Sequence, residues 1–597
     1  MTFTLLVPLL LLVATGLVLI GSDRSRHARA KIAAYPIGVA FLAAVTTLFQ
    51  VTTEGPIALQ FYDLSSVGTF AIPIGFYIDR LSAVMMTLIT GVSVIIYTYS
   101  IGYMYQDAHA RRYLAMICLT DFVLICMVAS SNLMMLFLFW QVLSYLLYVL
   151  AHNHAHAGTL TGAFKTFTVL RVADTAFLAG IALAYQLYGT LEFQDLFLRA
   201  AETRISLPLG FGMEMSGATA VTFLFFVGAM GKSAQFPIHF WLPGSLFAPT
   251  PVHALLHAGI INAGGFLINR LAPLFALSST TLHVAFVIGT LTAFLGATMM
   301  LAQNDIKKTL GFSTIGQMGY MIMECGLGAF SLAVFHLIAH GLFKATVFLN
   351  CGNVIHKARH EPHFPHIDHQ REEEGLSRMT WVTGCVTSLL IPLFILLLTH
   401  GVLRIPLLES QGTVIFLFFI WITSSQAILT LTRLRQVASW KVSAAMLMTL
   451  LFIVFVYLFA VESFTAFLYP DPDEVASFFK AADLPDWLFD FIILAATILM
   501  IASWSYLYMT AHGRTVRIPG WIDNLRIRLY LPFMNRLYAD ELHQLLGDSL
   551  MRLVHQFDKR ERGWSQLWTA PSSRGYWQGY PYWEHSAVFS SGRTPTA

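Results

Sequence analysis

Apolar runs of membrane-spanning length recur from the N-terminus to about residue 511, and no other feature of the 597-residue chain constrains its fold as strongly. A hydrocarbon core about 30 Å thick is crossed by roughly 20 apolar residues in helical form. Within it, only segments that satisfy their own backbone hydrogen bonds persist. Counting such runs predicts an all-α integral membrane protein with about fifteen transmembrane helices. They fall near residues 3–21, 32–52, 78–104, 111–130, 132–151, 160–188, 217–243, 250–274, 280–303, 306–325, 328–355, 380–403, 412–433, 440–468 and 485–511.

Composition supports this reading, because 56% hydrophobic against 12% charged residues leaves too little polar surface to coat a soluble globule of this size. The net charge of +3 comes from basic residues scattered through short loops, which argues against a nucleic-acid partner and leaves the lipid bilayer as the main surroundings. Cys118, Cys126, Cys325, Cys351 and Cys385 lie in apolar stretches without CxxC spacing, so they read as packing residues and no metal site is expected of them. No glycine-rich loop meets the strand-turn-helix context of a nucleotide site, and no cofactor is expected. The run from Thr4 to Ile20 has no basic region before it and no small-residue cleavage site after it, which predicts a retained helix rather than a signal peptide.

Basic residues fall in alternate loops: Arg24, Arg26, Arg29 and Lys31; Arg111 and Arg112; Lys307 and Lys308; Arg433, Arg435 and Lys441; Arg514 and Arg517. Under the positive-inside rule these loops face the cytoplasm of a cell whose inner (plasma) membrane holds the chain. The intervening loops are acidic or neutral, as in Asp471 to Asp486 with five acids against one lysine. The N-terminus is therefore expected outside, as is the loop from 52 to 77, and the C-terminus in the cytoplasm.

Proline breaks two of the expected spans, at Pro237 and Pro392, five spans apart. An odd offset reverses orientation, which predicts two inverted five-helix repeats containing broken helices, over 111–274 and 280–433. Residues 1–110 then form N-terminal helices with an external loop, 434–511 form C-terminal helices, and 512–597 form a polar, aromatic cytoplasmic tail.

Ionisable residues at membrane depth are costly, so each needs a partner or a task. Lys232 precedes the break at Pro237; His253 and His257 follow at i and i+4; His336, His340 and Lys344 repeat that step; His400 ends the span broken by Pro392. Such a row suits proton passage, since histidine titrates near neutrality and a desolvated lysine moves towards it. Asp174 follows Arg171, with Lys165 earlier on the same span, and these predict an ion pair. Asp121 is the only acid in its span, where it either joins the row or bonds a neighbouring helix. His356, His360, His363, His366 and His369 resemble a metal tract, but Pro362 and Pro365 break any shared helical face, so a solvated docking loop is the expected role.

Four stretches carry a family resemblance: Gly75 to Ala83, Lys165 to Asp174, Gly231 to Asn262 and His336 to Lys344. They resemble the proton-conducting membrane subunits shared by respiratory complex I (its L subunit), Mrp antiporters and membrane-bound hydrogenases. The resemblance implies that Lys232 is the central lysine of a first half-channel, that His257 passes protons laterally, and that His336, His340 and Lys344 connect to a second half-channel. Two positions depart from the family pattern. Trp140-Gln141 stands where Trp-Glu is usual, and Leu398-Thr399-His400 replaces a lysine-containing stretch. An uncharged Gln141 cannot tune Lys232 by Coulomb interaction, so Asp121 is the expected substitute.

The run from His257 to Phe266 looks closer to the DabB branch. That resemblance implies a transport subunit, without a catalytic site of its own, that couples the proton gradient to inorganic carbon (CO2 or bicarbonate) accumulation with a soluble zinc-containing DabA-like partner. A pumping subunit of a respiratory NADH-quinone oxidoreductase, among redox complex subunits, is the alternative. A scaffold whose channel has decayed is a third reading, which Gln141 and His400 motivate.

Overall fold

The computed structural model describes residues 2–20, 26–63, 73–105, 107, 109–151, 157–203, 205–210, 213–244, 248–360, 462–492 and, with gaps, 494–498 and 520–556. Expected spans twelve to fourteen, Cys385, Pro392, His400 and the side chains of the 356–369 loop lie outside the described residues, and with them the inverted-repeat comparison.

Helix occupies each of the first eleven expected spans. The helices are α1 (Thr2–Leu19), α2 (Arg26–Glu54), α3 (Arg80–Tyr103), α4 (Ala110–Val128), α5 (Leu133–Ala151) and α6 (Ala157–Tyr188), with α7 (Phe193–Glu202) an added short helix, then α8 (Gly217–Lys232). They continue as α9 (Thr250–Leu255), α10 (Ala263–Arg270), α11 (Ser279–Leu301), α12 (Ile306–Gly326) and α13 (Phe330–His360). Seven of the described helical stretches are long and apolar enough to cross a membrane. Side chains cap several of them: Asp79 accepts from the Ser82 N–H at the start of α3, and Asp305 from the Lys308 N–H at the start of α12.

The all-α expectation needs a correction. β1 (Ile57–Asp63) pairs antiparallel with β2 (Pro73–Ile78), and β3 (Ser206–Gly210) with β4 (Met213–Ser216). These segments are too short to cross a bilayer, and pairing satisfies backbone groups that have left the helices. β2 is also tied to the helix ends, for Tyr77 donates its N–H to the Ala129 carbonyl at 2.8 Å. At the same end, the Leu133 N–H reaches Leu191 at 3.0 Å, just before amphipathic α7. The acidic segment expected as a loop holds another helix, α14 (Pro472–Ala482), which seats Phe478 and Val475 inward. Beyond it, α15 spans Gly520–Met534.

Small residues let α11 and α12 meet backbone to backbone. A Cβ at Gly319 of α12 would fall 2.4 Å from the Ala293 nitrogen of α11, and one at Gly296 would fall 2.4 Å from the Gly316 nitrogen. Backbone contact of this kind is how helices associate where lipid offers no hydrophobic drive. A second compact unit begins at Arg536; within it the Ser549 hydroxyl donates to the Leu545 carbonyl at 2.7 Å, four residues back as in a helix.

Candidate functional site

The helix carrying Lys232 stops at that residue. Ser233 caps it, Ala234 adopts φ +49°, and the Phe236–Pro237 bond is cis. The freed backbone is taken up locally: the Trp241 indole donates to the Gly231 carbonyl at 2.9 Å, and the Phe236 N–H to the Thr292 hydroxyl at 3.0 Å. Lys232 is thereby held 1% exposed, as the break expected at Pro237 implied.

Its ammonium donates to the Trp140 carbonyl at 3.1 Å and to the Ser144 hydroxyl, and lies 4.8 Å from the centroid of the Trp140 ring. Trp140 in turn donates its indole N–H to Asp174 at 2.6 Å. Asp174 pairs with Arg171 at 2.7 Å, one turn apart on α6, as the sequence suggested. Lys165 places its ammonium 5.0 Å from the Phe240 ring centroid. The Arg171 guanidinium also donates to Gln141, so that amide faces the arginine.

Asp121 is placed elsewhere. It is fully buried and accepts from the Ser93 hydroxyl of α3, while the charged groups whose fields reach Lys232 are Asp174 and Arg171. The expectation that Asp121 faces Lys232 is corrected on this point. Adjacency in sequence between spans four and five does not fix which face of α4 the acid occupies.

The next broken element was not foreseen. Between α9 and α10, Leu256–Ile260 forms a π-helical turn with His257 inside it. Turns of this type recur at functional sites because the bulged residue gains freedom from the helical ladder. His253 Nε2 donates to the Ala248 carbonyl at 3.1 Å, and its ring lies 6.4 Å from that of His257. His257 stacks flat on Phe348 of α13 at 4.4 Å, and His257 and His340 are buried with no side-chain hydrogen bond among the described residues. The Phe348 stack joins the π turn to α13, the helix that carries His340 and Lys344.

Along α13, Lys344 donates to Ser313 at 2.8 Å and to the Leu310 carbonyl at 3.4 Å. His336 and His340 have ring centroids 6.2 Å apart. His336 reaches Gln317 at 3.0 Å and Glu324 at 3.1 Å. Glu324, 2% exposed near the end of α12, was missed by the sequence reading, although a lone acid at membrane depth is itself the signal. Two further groups were also missed. His239 is buried beyond the break at Pro237, and Arg270 pairs with Asp79 through two bonds of 2.6 and 3.0 Å.

Comparison with known proteins follows the same residues. The family profile described as NADH:quinone oxidoreductase/Mrp antiporter, TM, matches residues 130–424, and that described as NADH-Ubiquinone oxidoreductase (complex I), chain 5 N-terminus, matches residues 64–114. A probable inorganic carbon transporter subunit DabB1 from Halothiobacillus neapolitanus is 38% identical over 487 residues, covering 81% of this chain and 86% of that protein. The NADH-quinone oxidoreductase subunit L of Neisseria meningitidis serogroup A is 36% identical over 338 residues, covering 56% of this chain. The chain spans about half the length of that relative, 50%. In fold, the chain is similar to one in the Mrp complex from Dietzia sp., with a TM-score of 0.51 at 19% identity, covering 96% of this chain and 64% of that one. The chain is a multi-pass membrane protein and belongs to the antiporter-like membrane-subunit family shared by NADH:quinone oxidoreductases and Mrp antiporters.

Proposed function

We propose that this chain conducts protons across the inner membrane as one subunit of a complex, and that the complex uses the flow to accumulate inorganic carbon with a soluble partner. The observation that carries the first half is the buried series itself: Lys232, His253, His257, His340 and Lys344 are each at most 5% exposed, and they lie on helices packed against one another. Burying so many titratable groups is costly, which points to a task such as proton exchange, and rings about 6 Å apart are close enough for one water molecule to complete a relay. Lys232 receives a proton beside Trp140 and Ser144, His257 passes it sideways, and the α13 residues carry it along their helix. Asp174 offsets the positive charge on Lys232 through the intervening indole.

The carbon-uptake half rests on the relative named as an inorganic carbon transporter subunit, which aligns over 81% of this chain. The partner on this reading is a soluble zinc-containing protein of the DabA type, bound at the cytoplasmic face. A pumping role in a redox complex is the second reading, favoured by the 36% identity to the quinone oxidoreductase subunit.

Cells expressing this chain with a soluble zinc-containing protein of the DabA type decide between them. Carbon uptake predicts accumulation of labelled bicarbonate that a protonophore abolishes and that Lys232→Ala reduces about tenfold or more. Copurification with flavin or iron–sulfur subunits, together with protonophore-insensitive label, would instead establish the redox reading.

A further inference from the structure

The Glu324–His336 pair is bridged by a single hydrogen bond. With the Gln317 amide oriented so that Oε1 faces His336 Nε2 at 3.0 Å, Nε2 carries a hydrogen, because a carbonyl oxygen only accepts. One more proton then sits between His336 Nδ1 and Glu324 Oε2, which are 3.1 Å apart. It makes either an imidazolium facing a carboxylate or an imidazole facing a carboxylic acid. Neither form adds net charge to the membrane interior, so the proton shifts across the pair without a Born penalty.

Glu324 does not itself line open space; the link from it to a cavity runs through the next residue and Asn269. Cys325, the neighbour of Glu324, lies 3.6 Å from the Asn269 amide nitrogen. Asn269 and Arg270 border a cavity of about 370 Å³ whose walls include Tyr77, Asp79, Tyr469 and Glu474. Asn269 is 2% exposed, and its Oδ1 has no hydrogen-bond partner among the described residues. The Asp79–Arg270 pair holds this floor at the end of the helices away from the basic loop at Lys307 and Lys308. Gln194 stands at the rim, exposed, with its amide donating to the Tyr77 hydroxyl at 2.8 Å.

We propose that this cavity is the outer mouth of the proton path, and that Glu324 is the group that exchanges protons between His336 and the cavity. The inference rests on the proton-conducting reading above. In outward flow, the proton leaves His336 Nδ1 for Glu324 Oε2, giving neutral imidazole and carboxylic acid. Release to cavity water restores the carboxylate, and inward flow reverses both steps.

The test uses the whole complex in liposomes with a pH-sensitive dye inside, driven by a potassium diffusion potential. Four proteins are compared: the natural chain, Lys232→Ala, Glu324→Gln and Glu324→Asp. Glu324→Gln keeps a hydrogen bond to His336 but cannot ionise, so flux falls about tenfold or more, and Glu324→Asp restores part of it. In a parallel arm, Gln194→Cys is modified with an impermeant cationic thiol reagent added from the outside, and flux is read before and after. Labelling accompanied by at least a roughly threefold loss of flux supports the outer mouth. Absent labelling, or labelling with unchanged flux, overturns it, as does full flux in Glu324→Gln; where that variant does not assemble, the cysteine arm decides. If the natural chain and Lys232→Ala are equally silent, it is the conduction reading that falls, and with it this inference.

Discussion

Asp174 reaches Lys232 through a single indole: Trp140 donates its ring N–H to the carboxylate at 2.6 Å, while its carbonyl accepts from the ammonium at 3.1 Å. A charged lysine inside the membrane needs an opposite charge within its electrostatic reach, and this arrangement supplies one without direct contact.

Lys232→Ala is therefore expected to abolish proton flux, and Asp174→Asn to lower it about tenfold, because Arg171 is then left beside the lysine without its acid. Asp121→Asn should stay within about twofold of the natural chain, since Asp121 is bonded to Ser93 away from this cluster. Dye-reported flux in liposomes measures all three. A larger loss from Asp121→Asn than from Asp174→Asn would reverse the assignment.

The Asp79–Arg270 pair makes a prediction about stability and pH. Burial alone would raise the Asp79 carboxyl, but the Arg270 guanidinium beside it and the Ser82 N–H hold it below the usual carboxylate range. A depressed carboxyl stabilises the fold fully above its unfolded value of about 3.9, and the contribution is lost as pH falls through the lower folded value. Arg270→Ala should cost about 3 kcal/mol at neutral pH, as expected for breaking a largely buried pair. Thermal melting of the detergent-solubilised complex should show the gap between the two proteins constant from about pH 7 to 5 and narrowing below about 4. A gap independent of pH would mean that Arg270 acts through packing alone.

At the α11–α12 contact, Gly319→Val should destabilise by at least about 1 to 3 kcal/mol, because its Cβ would strike the Ala293 nitrogen at 2.4 Å and the Gly289 carbonyl at 2.8 Å. Gly102→Ala, with nothing within 4 Å, serves as the control and should melt with the natural chain. Equal melting of the two variants would show that α11 and α12 separate more easily than their packing implies.

Orientation is open to cysteine labelling in intact cells. Gln60→Cys on the exposed side of β1 should react with an impermeant reagent added outside, and Ser572→Cys only after permeabilisation. The reverse pattern would invert the chain in the membrane.

Spans, breaks and ionisable rows were legible in the sequence because each has a period or a breaker behind it. Pro237 signalled a break in this stretch, although α8 stops five residues earlier, at Lys232, and the i, i+4 step placed His253 beside His257 and His336 beside His340. The π turn at Leu256–Ile260 left no such mark, since nothing in Leu256–His257–Ala258–Gly259 forbids an ordinary α-helix. The partners of Asp121 and Gln141 were illegible for a different reason. Which helix face meets which neighbour depends on packing between non-adjacent spans, so proximity in sequence pointed to Lys232 where the structure has Ser93 and Arg171. The hairpins were missed because segments of four to seven residues in a loop carry too little pattern to register.

Every residue from Thr250 to Arg270 is buried, so the stretch that carries His253 and His257 touches no lipid once the protein is assembled. During synthesis it nevertheless has to enter the bilayer, and it is the least apolar of the seven membrane-length stretches. Two histidines, Asn262, Asn269 and Arg270 weaken its own partition from the translocon into lipid. Its insertion therefore depends on neighbours that are already in place. The α8 helix arrives earlier and offers Ser233 to the Ile261 carbonyl at 2.8 Å, while α13, which covers His257 with Phe348, is made later. The functional core of this chain is thus also the part whose biogenesis is most cooperative, and a substitution there can act on the yield of inserted protein before it acts on transport.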